Sequence, residues 1–504
     1  MTSYVKIEVQ RNLNLMKKRI ERKMIVYEIC LDKIINYSNK VFDIDEKFRK
    51  LIRDNSDSSK VKAYTGAKTM FASTLCGHKS INELNDVNKQ KRLRFDSLYR
   101  KNEFVPCTHG LRDCIIDTDY QQMVEINKSV IQKTKINKIF KKNKIDGLTI
   151  MAVDGVDLNE TNKEIEGLPE REHKNGHITK YLKNTAFMNV GPLANIIIGM
   201  YQHQEIEKIT TESGKERAKS NGETKAFEEM IIENEKLIGG VIDGFTLDGL
   251  YTNKNVFNLI NSMGKYFINR LKNKRLNIYK DAERLFENRK QDYTYELVKI
   301  ATRKNYKYSK KAKKKDVIKN KIRIEKRDIS NNKLGEKRLV NKRTQTRKNS
   351  TIEIEIYETV ITRKEVWEDI FNMDGYEGDL RVVKSKEISL NGNEEITQEI
   401  YVITNMLTHD VETILKIMHY RWNIENCGFR TLKQRFNIGH IYIGDINAIK
   451  YIIQMKILVF NLLELYMKIR LKNEVKLTWL IITKLFERAF HNDKEVKAIY
   501  MNSG

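Results

Sequence analysis

The sequence contains few cysteines, and their placement forms no disulfide pattern. Five cysteines among 504 residues are an odd and scattered set. A disulfide framework has an even number of cysteines at regular spacings in a short secreted chain. We therefore expect reduced thiols at Cys30, Cys76, Cys107, Cys114 and Cys427.

Long uninterrupted apolar runs are also missing. The most apolar late segment, residues 451–471, contains Lys456, Glu464 and Lys468, which favours a buried helix over a membrane span. The N-terminus shows no apolar run behind a basic start, so we expect no secretory signal and a cytoplasmic protein. No GxxxxGK[ST] run occurs, so the sequence does not indicate ATP-driven chemistry.

Positive charge, in contrast, is abundant. The formal net charge is +26 at pH 7, and a folded chain with this charge repels itself unless a polyanion neutralises it. Residues 303–348 hold 20 Lys and Arg against four acidic residues. This segment alone therefore supplies more than half of the net positive charge of the chain. Nucleic acid is the leading partner class, and an acidic membrane surface is the second.

The periodicity of apolar residues divides the chain into four regions. Residues 1–146 follow a helical pattern, and residues 147–290 alternate strands and helices as in an α/β layer. Within 147–290, strands are predicted near 178–190 and at 266–271, a helix over 254–263, and a buried strand that begins at 237–242 and ends at 247. Residues 291–405 combine alternating strand patterns with the basic cluster, and residues 406–504 return to helices. Within the basic region, a disordered Lys-rich loop at 307–321 is the alternative.

Two motifs in the N-terminal region have competing interpretations. Ser80 and Glu83 have capping-box spacing, so residues 65–95 fit either a helix-turn-helix DNA reader or an ordinary helical bundle, and the bundle is favoured. Cys76-Gly-His78 and Cys107-Thr-His109 suggest zinc, but one intervening residue is fewer than zinc sites normally use.

The hypothesis about the chemistry of the protein rests on carboxylates at the ends of two predicted strands. Asp154 and Asp248 each end an apolar strand and are followed by Gly, which taken singly is a turn signal. A helix is predicted over 415–436, with Arg421, Glu425 and Lys433 along one stripe. Two strand-end carboxylates and a helical glutamate are the oxygen ligands that a two-metal phosphoryl-transfer site needs.

These residues resemble the DDE transposases of bacterial insertion sequences. The resemblance covers roughly residues 145–470 and rests on Val153-Asp154-Gly155, Leu247-Asp248-Gly249, residues 266–272, and Arg421 to Glu425 with Lys433. It is closest to the group with a Tyr-Arg-Glu-Lys signature and a β-strand insertion in a ribonuclease-H-like core.

The resemblance implies a fold, a reaction and partners. The fold would be a ribonuclease-H-like α/β core interrupted by the basic insertion and preceded by a helical region that binds DNA ends. Asp154, Asp248 and Glu425 would be catalytic and would ligate two Mg2+ ions, which Mn2+ could replace. The enzyme would cleave double-stranded DNA at the element ends, join the 3′-hydroxyls to target DNA, and act as a homodimer on paired ends. The implied DNA-binding residues are Arg421, Lys433, Lys272, Tyr420 and Trp422.

The sequence departs from the signature in two places. Met418 stands where the pattern has Tyr, and Lys433 follows Glu425 at one residue more than usual, as if a residue near Gly428 were extra. Asp243 is the rival to Asp248 as second ligand. His419 and His440 are expected to pack or to face phosphate, because Mg2+ disfavours imidazole. A catalytically inactive DNA-binding protein and a nuclease without strand transfer are the alternative functions.

Overall fold

A computed structural model describes residues 27–29, 31–54, 61–83, 98–100, 103, 106–210, 216–220, 222–309, 317–347, 349–471, 478–491 and 498–500. The chain forms two units. The first comprises Met1–Thr246 with His419–Ser503, and the second is mainly Leu247–Met418. The four sequence regions predicted above have other boundaries and stay predictions.

Thirteen α-helices occur in the described residues. They are α1 (Leu31–Phe42), α2 (Ile44–Leu51), α3 (Ala63–Leu75), α4 (Thr108–Asp117), α5 (Tyr120–Ile136), α6 (Ile139–Lys142), α7 (Gly222–Ile238), α8 (Lys254–Ser262), α9 (Asn277–Leu285), α10 (Val411–Asn423), α11 (Arg430–Phe436), α12 (Ile446–Leu465) and α13 (Trp479–His491). Two π-helical turns, Ile424–Phe429 and Tyr466–Arg470, follow α10 and α12.

The described strands number sixteen. They are β1 (Tyr27–Ile29), β2 (Ile150–Thr161), β3 (Glu170–Glu172), β4 (Ile178–Val190), β5 (Ile196–Gln202), β6 (Glu205–Thr210), β7 (Glu216–Ser220), β8 (Gly244–Leu247), β9 (Tyr266–Leu271), β10 (Tyr293–Tyr308), β11 (Val317–Arg327), β12 (Lys337–Arg347), β13 (Ser350–Phe371), β14 (Leu380–Asn391), β15 (Glu394–Thr404) and β16 (Ala498–Tyr500).

The first unit is built around strands β2, β4 and β5. β2 pairs antiparallel with β4, and β4 pairs antiparallel with β5, while β8 is the other neighbour of β2. The apolar run 150–153 is fully buried because both faces of the central strands are covered. Phe187 of β4, Phe227 of α7 and Phe245 of β8 meet with ring centroids 5.4–6.1 Å apart and form part of this core.

Helix α12 packs against the edge strand β5 and supplies its missing hydrogen bonds. Asn461 Oδ1 accepts from the Ile197 N–H at 2.9 Å, and Asn461 Nδ2 donates to the Ile197 carbonyl at 2.7 Å. Glu464 accepts from the Asn195 N–H at 3.0 Å, and burial raises the pKa of Glu464 to about 6. The helix thereby satisfies edge groups that would otherwise be buried without partners.

The α12 segment is also long enough and apolar enough to cross a membrane, by length and composition alone. Among the described helices, Ile446–Arg470 alone is long and apolar enough, and 83% of its most apolar window is buried inside the structure. Its apolar surface is therefore used for packing in the first unit, as the interrupting charges predicted.

The second unit is an antiparallel sheet with α8, α9 and the first part of α10. Its strand order is β11-β10-β13-β14-β15-β9, and β12 also pairs with β13. Phe257 of α8 stacks on Phe267 of β9 with centroids 4.2 Å apart. Buried Lys364 lies between Glu387, at 3.1 Å, and Glu412, at 2.9 Å, so this internal charge is compensated.

Several predicted elements match the structure, and one begins at the wrong residue. The strands predicted at 178–190 and 266–271 and the helix predicted over 254–263, which ends at Ser262, are confirmed, and residues 293–404 contain β10 to β15. The strand predicted to begin at 237–242 and to end at Leu247 is wrong only in its start. Residues 237 and 238 end α7, Gly239 and Gly240 follow, and the strand runs from Gly244 to Leu247. Apolar residues at the end of a helix have the same short-run pattern as a buried strand.

The N-terminal motifs are covered only in part. Ser80 Oγ accepts from the Glu83 N–H at 3.3 Å, which is half of the predicted capping box. Residues 84–97, which the helix-turn-helix interpretation needs, lie outside the described residues, as do residues 310–316 of the Lys-rich segment. Within the described part of the chain, no group of three His, Cys, Asp or Glu side chains is arranged to hold a metal ion, at the Cys-His pairs or elsewhere.

Candidate active site

The candidate site of the first unit begins on β2. Asp154 is the fifth residue of this strand and faces Ala186 in the register with β4, so its position is fixed by the sheet. Its side chain is 16% exposed, at the point where the strand changes from fully buried to partly exposed residues. The carboxylate is thus held at the rim of the core, where a buried strand can present a charge.

Arg421 joins Asp154 to the glutamate predicted from the signature. Its Nη1 lies 3.2 Å from Asp154 Oδ2, and its Nη2 lies 2.9 Å from Glu425 Oε1. The spacing of four residues places Arg421 and Glu425 on one face of the helix. Two carboxylates 271 residues apart in the sequence therefore converge on one guanidinium.

The burial of Arg421 differs from the sequence-based expectation. The predicted stripe had Arg421 on a charged face looking into a cleft, whereas its side chain is 2% exposed. Glu425 is 49% exposed and forms the open side of the cluster. Arg421 neutralises two carboxylates at the boundary of the core, and its contact with DNA phosphate stays a prediction.

The predicted helix over 415–436 is interrupted next to Glu425. Helix α10 ends at Asn423, a π turn spans Ile424–Phe429, and α11 begins at Arg430. The Arg430 N–H donates to the Glu425 carbonyl, which is the five-residue spacing of a π turn. Gly428 packs against Met188 of β4, and an added Cβ there would lie 3.0 Å from the Met188 sulfur.

Asp248 and its rival Asp243 have different surroundings. Asp243 Oδ2 accepts from the Thr149 N–H at 2.7 Å and lies 3.7 Å from Lys144 Nζ. Its carboxylate therefore holds the backbone of the residue that precedes β2. Asp248 follows β8 and begins a short 3-10 turn over Gly249–Tyr251 in the second unit. Asp248 thus lies at a strand exit and Asp243 is hydrogen-bonded to the backbone, and the choice of Asp248 as second ligand stays a prediction.

The predicted DNA-binding residues lie on three elements. Lys433 of α11 and Lys272, just after β9, are exposed, and Tyr420 and Trp422 of α10 are half-buried. Lys272 lies close to Gly249, since an added Cβ there would be 3.1 Å from the Lys272 Cβ. Met418, at the position of the signature Tyr, is fully buried, which explains an apolar residue there.

Glu223 is a nearby acidic residue that the sequence did not reveal. It lies in the first turn of α7, and its carboxylate would be 2.3–2.5 Å from a Cβ added at Gly155. Lys183 Nζ lies 2.7 Å from Glu223 Oε1. Gly155 therefore permits close approach of a carboxylate beside Asp154. Acidic residues are so common in the first turn of a helix that the position of Glu223 in the sequence did not mark it as a site residue.

The oxygen donors at this site suit a hard divalent cation. Asp154 and Glu425 already gather around one positive group, and carboxylate oxygens are the ligands that Mg2+ prefers. The chemistry of the donor set fits the ion, with Arg421 as the cation that compensates the same charges in this structure.

Comparison with known families gives a match over residues 214–462, just under half of the chain, to the family described as Transposase DDE domain. The match supports a DDE transposase. No curated protein matches the chain. The matched segment contains Asp248, Arg421, Glu425 and Lys433, and Asp154 precedes its start. The mixed α/β architecture is consistent with the ribonuclease-H-like core of a transposase domain, and a transposase role implies DNA binding.

Proposed function

We propose that this transposase cleaves DNA at the ends of an insertion sequence and joins the freed 3′-hydroxyls to target DNA. It would belong to the group with the Tyr-Arg-Glu-Lys signature, with strands β10 to β15 as the characteristic insertion. The observation that carries the proposal is the convergence of Asp154 and Glu425 on Arg421, with Glu425 and Arg421 inside the matched transposase segment.

We propose Asp248 as the third carboxylate of the site. Two hydrogen bonds link Asp243 and Thr149: the Thr149 N–H donates to the Asp243 carboxylate, and the Asp243 N–H donates to the Thr149 carbonyl at 2.9 Å. The Asp243 carboxylate is thereby engaged by the backbone of Thr149, whereas Asp248 follows the exit of β8, which supports Asp248 as the ligand.

Each residue would have a distinct task. Asp154, Asp248 and Glu425 would hold two Mg2+ ions, which supply charge stabilisation for an in-line displacement at phosphorus when bound. Arg421 orients the first and third carboxylates. Lys433, Lys272, Tyr420 and Trp422 would hold the DNA backbone, so that catalysis rests on positioning.

The test is cleavage of DNA that carries the sequences flanking this gene, in Mg2+, by the wild type and by Asp154→Asn, Asp248→Asn and Glu425→Gln. We expect each substitution to reduce cleavage at least about 100-fold, because each removes a ligand and its charge. Asp243→Asn is the matched control, and it should retain cleavage because its neutral amide oxygen can still accept from Thr149.

Each outcome separates the alternatives. Full activity in one of the three variants removes that residue from the site. Binding of DNA without cleavage in either Mg2+ or Mn2+ identifies a catalytically inactive DNA-binding protein. Cleavage without joining of precleaved ends identifies a nuclease.

A further inference from the structure

The spacing between Glu425 and Lys433 is unfavourable on a regular α-helix. Residues on such a helix are rotated by about 100° each, so a lysine eight positions after a glutamate lies about 80° away from it. Seven positions would bring the two within about 20°, on the same face. The extra residue therefore turns Lys433 away from the carboxylate unless the helix changes its winding.

The π turn at Ile424–Phe429 changes the winding at this point. A π turn closes its hydrogen bond over five residues rather than four and so accommodates one additional residue. All positions after it rotate back by about 100° relative to an uninterrupted α-helix. Lys433 then has the direction that seven residues of α-helix would give.

Burial along the segment supports this winding. The exposed positions are Glu425, Asn426, Arg430, Lys433 and Gln434. On an uninterrupted α-helix these would spread over about 180° and overlap the buried positions, whereas with one π turn they occupy about 110°. The opposite side then holds the buried side chains of Ile424, Phe429, Leu432 and Phe436.

Packing fixes the position of the turn. Gly428 is buried and lies against Met188 of β4, where an added Cβ would be 3.0 Å from the sulfur. Thr431, the next buried residue after Phe429, is 8% exposed and also faces inward. The widened turn is therefore held by the sheet below it.

We propose that this π turn is a register device that returns Lys433 to the face of Glu425, where Lys433 positions a DNA phosphate beside the metal ligands. The inference rests on the proposed function. It assigns the positioning task to Lys433 rather than to Arg430 or Gln434, and it predicts that the extra residue of the π turn is dispensable.

The decisive variant deletes Cys427 from the full chain, which places the lysine seven positions after Glu425, with six residues between them. We expect a regular α-helix with an unchanged buried side, cleavage within about threefold of the wild type, and an unchanged salt dependence of binding to a precleaved end. If a folded deletion variant, checked by circular dichroism and thermal unfolding, loses cleavage by about 100-fold, the register inference is wrong.

Substitutions keep the inference testable if the deletion variant does not fold. Lys433→Gln should lower cleavage by about 10- to 100-fold and reduce the slope of log K against log salt by about one, because one phosphate contact is lost. Lys433→Arg should restore the slope. Arg430→Gln, on the same exposed face, is the matched control with cleavage within about threefold of the wild type. An unchanged slope in Lys433→Gln would overturn the assignment.

Failure of the proposed function and failure of the register inference give different experimental results. Cleavage by Glu425→Gln at the wild-type rate contradicts the proposed function itself. Loss of cleavage in Glu425→Gln, together with a folded but inactive Cys427 deletion, contradicts only the register inference.

Discussion

At the scale of single residues, the central feature is one guanidinium shared by two carboxylates. Arg421 is 2% exposed, and both of its terminal nitrogens lie close to acidic oxygens, at 3.2 Å from Asp154 and 2.9 Å from Glu425. Removal of one partner from a buried ion pair leaves an uncompensated charge, which costs more than the pair contributes. Arg421 is therefore a stability residue as well as a site residue.

We predict that Arg421→Gln lowers the free energy of unfolding by about 2–4 kcal/mol in the absence of divalent ions. Added Mg2+ should restore part of this loss, because the two carboxylates then gain another cation that binds the folded state. Urea denaturation with and without Mg2+ measures both effects. Arg430→Gln, at an exposed position, should change stability by less than about 0.5 kcal/mol. A wild-type stability for Arg421→Gln would show that the ion pairs are not maintained in solution.

The sequence predicted which acidic residues take part in the site, but it did not predict the burial and packing around them. Asp154 and Glu425 were predicted from strand ends and a helical signature, and the structure brings them to one arginine. The burial of Arg421 was not predictable, because a charged residue on an amphipathic helix is normally exposed. The proximity of Glu223 to Gly155 depends on how α7 packs on the sheet, which no local pattern encodes.

At the scale of elements, strand β5 depends on α12 for its edge hydrogen bonds. The Asn461 side chain makes two hydrogen bonds, to the N–H and to the carbonyl of Ile197, and both residues are buried. We predict that Asn461→Leu destabilises the protein by about 2–4 kcal/mol, since a backbone N–H and a carbonyl both lose their partner. Asn461→Asp keeps an acceptor for the N–H but buries a carboxylate against the Ile197 carbonyl, so near neutral pH it should destabilise the protein at least as much. The measurement is the shift in the urea midpoint, and a wild-type midpoint for Asn461→Leu would contradict this role.

Element predictions succeeded where the periodicity was long and uniform. β4 and β9 were predicted with their observed bounds, because alternation and turn residues agree there. The start of the strand that ends at Leu247 was predicted too early, since the short apolar run at 237–242 fits the end of a helix equally well. The π turn could be suspected only as an extra residue near Gly428, because hydrogen bonding over five residues has no sequence signature of its own.

At the scale of the whole molecule, the positive charge is concentrated in residues 303–348, which hold 20 Lys and Arg against four acidic residues, whereas the net charge of the whole chain is +26. Strand register places Lys319, Lys304 and Arg343 in one row across β11, β10, β13 and β12, with Ile354 between the last two. Like charges directly opposite each other on neighbouring strands are unfavourable without a polyanion. The opposite face is more balanced, because Glu353 and Glu355 lie there among the basic residues.

We predict that the face carrying this row binds DNA. The triple variant Lys304→Gln, Lys319→Gln and Arg343→Gln should reduce the salt slope of DNA binding by up to about three, since each cation releases about one counterion. The matched control is the same change on the opposite face, at Lys299, Arg303 and Lys342, and its slope should change by less than about one. Fluorescence anisotropy at several salt concentrations provides the slopes, and equal losses in both variants would show that DNA does not discriminate the two faces.

The central claim, that the cluster around Arg421 is a DNA-cleaving site, is tested most directly by one comparison. Wild type and Glu425→Gln are incubated in Mg2+ with DNA that carries the sequences flanking the gene, and strand cleavage is followed on denaturing gels. Glu425 is half-exposed, so its substitution should leave the fold intact. We predict cleavage by the wild type and a loss of at least about 100-fold in the variant. Equal cleavage by the two proteins would contradict it.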